Sequence, residues 1–169
     1  YIAFRLSGVQ AVSLSLASRT MLLDLAGRRW SPELFDAFRL DASQWPDLVA
    51  GGTAIGRVSE HAARETGLPE GAIVAAGGHD HLCGALAAGA TEPGVILDSM
   101  GTTEAILASL NKPLIDEDLS RSGFSAGCHA VPDRYYVITG ITGSGGLCAW
   151  LRRVLLGHVA DDNAAFRML

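Results

Sequence analysis

The stretch IVAAGGHDHLCGALAAGA, Ile73 to Ala90, decides the fold. A short apolar run, Ala72 to Ala76, is bounded by glycines and suits a buried strand. Beyond it Leu82, Ala85, Leu86 and Gly89 fall at i, i+3, i+4 and i+7, which predicts a helix over His81–Ala88. The glycine and alanine content of that helix lets another backbone pack close. Gly77 and Gly78 are expected to turn the chain sharply and to deliver Asp80 to the end of the strand and the first turn of the helix. Ligands bind at that place in open α/β sheets, and the helix dipole with its free N–H groups favours an ionised carboxylate. Such a carboxylate can orient a substrate hydroxyl and take its proton during phosphoryl transfer. It can equally well cap the helix, and spacing alone leaves both readings open. The triplet His79-Asp80-His81 also raises a metal-dependent hydrolase. Adjacent side chains are expected to diverge, however, and single-stretch metal sites favour i, i+4 spacing. His61, His129 and His158 would have to complete the shell through the fold.

Working outward, Ser31-Pro32-Glu33 is a helix start: an N-cap serine, proline at the first helical position and an acid in the first turn. That helix is expected to reach about Leu40. A second is expected over GRVSEHAARETG, Gly56 to Gly67, with Gly67 as its stop. GVILDSMG and TEAILASL read as two strands joined at Met100-Gly101-Thr102, and NKPLIDEDLSRSG as an exposed loop. YYVITGI is a further strand. It leads through Thr142-Gly143-Ser144-Gly145-Gly146 into a helix with an apolar stripe of Leu147, Trp150, Leu151, Val154 and Leu155. Strand–helix and strand–strand units mixed in this way predict an α/β fold with a mixed sheet. A composition shift near Thr91-Glu92-Pro93-Gly94 divides the chain into expected units 1–93 and 94–169.

The bulk numbers narrow the classes. The chain has 169 residues, 49% of them hydrophobic, and its net charge of −5 without a basic run argues against a nucleic-acid partner. Mean hydropathy is +0.25, yet no stretch approaches the roughly 18 uninterrupted apolar residues of a membrane helix. YIAFRLSG lacks the layout of a signal peptide and an initiator Met, so the chain reads as a piece of a longer one. Cys83, Cys128 and Cys148 lack CxxC spacing, and reduced cytoplasmic thiols are expected. Two further places could meet phosphate. In Asp98-Ser99-Met100-Gly101-Thr102-Thr103 a turn glycine admits a ligand and two hydroxyls can donate to it; a hairpin turn has the same composition. At Gly143-Ser144-Gly145-Gly146 exposed N–H groups and the helix dipole are expected to form an anion site, though the spacing matches neither a Walker loop nor a dinucleotide fingerprint.

The order of these signals resembles the middle of an FGGY-family carbohydrate kinase, from YIAFRLSG through LCAWLRR. The run Ala17-Ser18-Arg19-Thr20-Met21-Leu22 is similar to the family's segment after T-D-x-x-x-A-S. GGHDHLCGALAAGA resembles the family's G-x-x-D-x-x-x-x-A-x-G, DSMGTTE its phosphate loop, and GITGSGGLCAWLRR the segment at the nucleotide phosphates. The resemblance implies an actin-like ATPase (ribonuclease H-like) fold, with this chain spanning the end of the sugar-binding lobe and the start of the nucleotide-binding lobe. It implies ATP with Mg²⁺, Asp80 as catalytic base, Gly78 and His81 toward the acceptor, and Gly101, Thr102, Gly145 and Gly146 at the phosphates, with no protein metal ligands. The acceptor would be a sugar, polyol or sugar acid, and a homodimer is compatible with this. Departures are Val12-Ser13 where many members have Thr-Asp, and His81 where Gln or Asn is common. The family's D-x-G-T strand pair and adenosine segment fall outside this stretch, so the piece alone is not expected to turn over substrate. A non-catalytic actin-like sugar or nucleotide sensor is the alternative that keeps the fold; an intact Asp80 argues against it.

Overall fold

The computed structural model describes residues 1–168. The chain opens with α1 (Ile2–Ser7), which ends on left-handed Gly8. Strand β1 (Ala11–Ser13) pairs in parallel with β4 (Asp47–Val49), Val12 opposite Leu48. Between them lie α2 (Leu14–Ala17), a 3₁₀ turn at Ser18–Thr20, the short hairpin β2 (Leu23–Asp24) and β3 (Arg29–Trp30), and α3 (Pro32–Phe38). Helix α3 begins where its sequence requires, with Ser31 Oγ accepting from the Leu34 N–H at 3.3 Å. It stops at Phe38, because Arg39 adopts the left-handed conformation. The rings of Trp30, Phe35 and Trp45 pack edge to face on one another, with centroids 5.2–6.0 Å apart.

The next unit is smaller. Strand β5 (Ala54–Arg57) runs antiparallel to β6 (Ile73–Ala75), and α4 (Glu60–Thr66) connects them. The helix expected from Gly56 therefore starts four residues later. Gly56 and Arg57 belong to a strand, and the cap is Ser59, whose Oγ accepts from the Ala62 N–H at 3.2 Å. Val58, Ala62 and Val74 form a buried cluster, joined by Ala3 and Leu6 of α1.

Helix α5 (Asp80–Ala87) follows β6. It packs on a four-stranded sheet of β7 (Ile96–Met100), β8 (Glu104–Leu110), β9 (Ser125–Cys128) and β10 (Tyr135–Ile141), in the order β7-β8-β10-β9. Every pair in this sheet is antiparallel. The expected mixed sheet is thus replaced, among the described residues, by separate sheets in which only β1 and β4 run parallel. Leu82 and Ala85 of α5 are completely buried against Leu107 and Tyr136. Burying a leucine in this way stabilises by about 1.5–3 kcal/mol, and it fixes the distance from α5 to the sheet.

Two expectations need correction. The polar stretch after β8 contains a helix, α6 (Glu117–Arg121), capped by Asp116 Oδ1, which accepts from the Leu119 N–H at 3.0 Å. Helix α7 (Ser144–Leu156) forms as expected, but none of its residues is buried. Leu147, Trp150, Val154 and Leu155 each keep at least half of their surface in solvent; among the described residues, the body of this helix packs mainly on α8 (Asp162–Met168). Leu169, the last residue of the expected second unit, lies outside the described residues.

Candidate active site

Asp80 is the first residue of α5, not its cap. The N-cap is His79, in extended conformation and without a side-chain cap bond. Asp80 is 86% exposed, and its Oδ1 accepts the His81 N–H at 2.8 Å. That bond, with the two flanking histidines, holds the carboxyl below its ordinary pKa, so it is ionised at neutral pH. Glycine has a packing role here. Neither Gly77 nor Gly78 takes a left-handed backbone, and a Cβ on Gly78 would lie 3.0 Å from Ala130 Cβ and 3.1 Å from Ser15 Oγ. The loop is held from below as well: the His79 N–H donates to Ser15 Oγ at 3.1 Å, and the buried Ser13 and Ser15 hydroxyls lie 3.1 Å apart.

The histidines do not diverge. Their rings stack with centroids 5.6 Å apart and planes 29° from parallel. His79 Nδ1 lies 3.4 Å from Asp80 Oδ1; burial lowers the pKa of this imidazole, with the Asp80 charge opposing. No third ligand joins them. His61 pairs with Glu65 at 3.4 Å, and His129 is buried with Nδ1 accepting from the Val131 N–H at 3.0 Å. Among the described residues no three His, Cys, Asp or Glu side chains are grouped so as to hold a metal ion.

Two clefts meet at His81. One, of about 230 Å³, is lined by Asp80, His81, Gly84, Leu97 and Ser99. The other, of about 260 Å³, is lined by Arg19, His79, His81, Ser125 and Thr139 among others. Small-molecule sites commonly occupy about 300–1,000 Å³, a range the two reach only together. Arg19, Ser99, Ser125 and Thr139 come from four separate elements, and no local pattern in the sequence links them to Asp80.

The two glycine-rich places expected at phosphates are brought together. The Gly145 N–H donates to the Gly101 carbonyl at 2.9 Å, and the Gly146 N–H to the Thr102 carbonyl at 3.2 Å. The free N–H groups expected at the start of α7 are therefore already engaged by the β7–β8 turn at these two positions. A Cβ at residue 145 would stand 2.5 Å from the Gly101 oxygen, so glycine there is a condition of the contact. This pair of segments lines neither of the two clefts at His81. It is continuous with them through β7, which carries Ser99.

Residues 1–87 match the family model for the FGGY family of carbohydrate kinases, N-terminal domain. The chain is 31% identical over 153 residues to a xylulose kinase of Bacillus subtilis, a match covering 90% of this chain and 30% of the relative. It is 36% identical over 120 residues to an autoinducer-2 kinase of Yersinia enterocolitica, covering 71% of this chain and 23% of that one. The solved xylulose kinase of Rhodospirillum rubrum superposes with a TM-score of 0.88 at 28% identity, over 99% of this chain and 33% of that structure. The chain thus spans about a third of the length of the proteins it matches. Its fold is the expected actin-like ATPase fold of these kinases. With its first 87 residues, about half of its length, matched to that family model, the chain belongs to the FGGY family of carbohydrate kinases.

Proposed function

We propose that the chain supplies the acceptor pocket and part of the phosphate site of an ATP-dependent kinase. That enzyme transfers the γ-phosphoryl group of ATP to a hydroxyl of a sugar, polyol or sugar acid. The observation that carries this reading is Asp80: an exposed, ionised carboxylate at the first turn of α5, bordering a cleft it shares with His81. As the acceptor oxygen bonds to the γ-phosphorus and the bond to ADP breaks, Asp80 takes the hydroxyl proton. Its lowered pKa makes it a weak base, which suits a loose transition state in which orientation does most of the work. Gly78 and His81 face the acceptor. Gly101, Thr102, Gly145 and Gly146 form the phosphate side. There the Thr102 hydroxyl and the positive end of α7 receive the anion, since the Gly145 and Gly146 N–H groups are bound to carbonyls.

The division follows: 1–93 belong to the sugar-binding lobe and 94–169 begin the nucleotide-binding lobe. The described residues gather no cage for Mg²⁺, and an ion commonly bound through substrate phosphates and one or two carboxylates needs none. Three free cysteines, and no described helix long and apolar enough to cross a membrane, support a cytoplasmic site of action.

The test is Asp80→Asn in the complete protein. The amide keeps the shape but cannot accept the proton, so kcat should fall by about 10²–10⁴-fold while nucleotide affinity is retained. A variant that keeps most of its kcat removes Asp80 from the mechanism.

A further inference from the structure

Arg19 sits in the 3₁₀ turn after α2, exposed to solvent, and borders the cleft it shares with His79 and His81. Arg5, Arg28, Arg29, Arg64, Arg121, Arg134 and Arg152 each pair with a carboxylate; among the described residues Arg19, Arg39, Arg57, Arg153 and Arg167 do not, and of these five only Arg19 borders the cleft. The residues lining the cleft include no acid. Their remaining polar groups, on Ser125, Thr139 and the two histidines, are all able to donate. Beside Arg19 lies the buried Tyr136 hydroxyl, a neutral group that leaves the charge of the guanidinium unbalanced.

We propose that Arg19 determines acceptor specificity by receiving a carboxylate of the acceptor, which makes the substrate class a sugar acid. The two clefts meet at His81, so a short carbon chain places one hydroxyl at Asp80 and its far carboxylate at Arg19. Guanidinium presents its donors as a planar fork that matches carboxylate in bidentate fashion. A neutral polyol offers that fork only a hydroxyl and leaves most of its donors to water. A bidentate, charged hydrogen bond of this kind gives a preference of about ten- to a hundredfold, and because Arg19 is exposed the preference weakens with added salt. The phosphorylation of the acid rests on the kinase reading above; its binding does not.

The complete protein, its Arg19→Met and its Arg19→Lys variants are titrated calorimetrically with two matched pairs: five- and six-carbon aldonates and the corresponding alditols. ADP release is measured with the same compounds. The expected result is aldonate binding at least tenfold tighter than alditol binding in the unmodified protein. Arg19→Met abolishes that ratio chiefly by weakening aldonate binding, and Arg19→Lys keeps part of it. Equal affinity for both classes, no aldonate binding, or a ratio unchanged in a folded Arg19→Met variant each overturn the proposal. Arg19-dependent aldonate binding without ADP release for any compound upholds the subsite and overturns the kinase reading instead.

Discussion

Replacing Gly145 by alanine in the complete protein isolates the contact between α7 and the β7–β8 turn. The added Cβ would lie 2.5 Å from the Gly101 oxygen and 3.3 Å from the Gly101 carbonyl carbon. Non-bonded heavy atoms prefer about 3.5–4.0 Å, so the turn must withdraw by about 1 Å. That movement breaks or stretches the bonds at 2.9 and 3.2 Å, each contributing about 0.5–1.5 kcal/mol net, so about 1–3 kcal/mol of docking is lost. Alanine also gains about 1 kcal/mol over glycine in helix propensity, which offsets part of the loss. Gly146→Ala provides the internal reference. Its Cβ meets the Thr102 oxygen at 3.4 Å and Thr102 Cγ2 at 3.7 Å, which is ordinary contact, and it gains the same propensity. The two variants should therefore differ by the docking term alone, about 1–3 kcal/mol. Hydrogen exchange read by mass spectrometry over residues 100–103 and 144–147 reports this directly. Gly145→Ala should speed exchange in both segments and raise the KM for ATP, whereas Gly146→Ala should do neither. Equal protection in the two variants would refute the docked arrangement.

Thr102→Val should raise the KM for ATP or lower kcat, together by about ten- to a hundredfold, the worth of one hydrogen bond to a charged group. Unchanged kinetics with a lower Tm would make Thr102 a hairpin residue only. His129 is 3% exposed, and burial keeps its pKa below the ordinary value. Below about pH 6.5 the unfolded chain takes up a proton that the folded chain refuses, so stability falls with falling pH until the folded pKa is reached. His129→Gln should flatten the Tm profile between pH 7.5 and 5.5; a profile as steep as that of the unmodified protein would place the effect elsewhere, with His79 next in line.

Where local chemistry was sufficient, the elements were legible. Ser31-Pro32-Glu33 marks α3 because its cap, first-turn proline and acid all act within four residues. Strand β10 and the β7–β8 hairpin are apolar runs long enough to show their period. Strands β1 and β4, three residues each, are not: Val12 becomes a strand residue by pairing with Leu48, and no window contains both. Helix α6 is a different failure. Its cap Asp116, its first-turn acids and the Arg121–Glu117 pair at 2.6 Å were all present in the sequence, yet polar composition concealed them. At the candidate site the placement of Asp80 at the start of a helix was legible from the strand–glycine–helix pattern, whereas His81 was singled out for the acceptor only by the family resemblance. Arg19 and Ser15 were not legible, because their proximity to that loop arises only from tertiary packing.

The hydrogen bond from the His79 amide to Ser15 has a consequence for the order of folding. It joins residues 64 positions apart, and the neighbouring bond from Cys128 to Ser18 spans 110. Contacts of such separation close late, since chain entropy must be given up before they contribute anything. Gly78 fits its place only when Ser15 and Ala130, from two distant segments, have converged around it beside the nearby Cys83. Asp80 is thus set in position by the last stages of assembly. A partly folded chain can hold α5 and its helical first turn before the loop at Gly78 is seated, so the final position of the Asp80 carboxylate is set by completion of the fold.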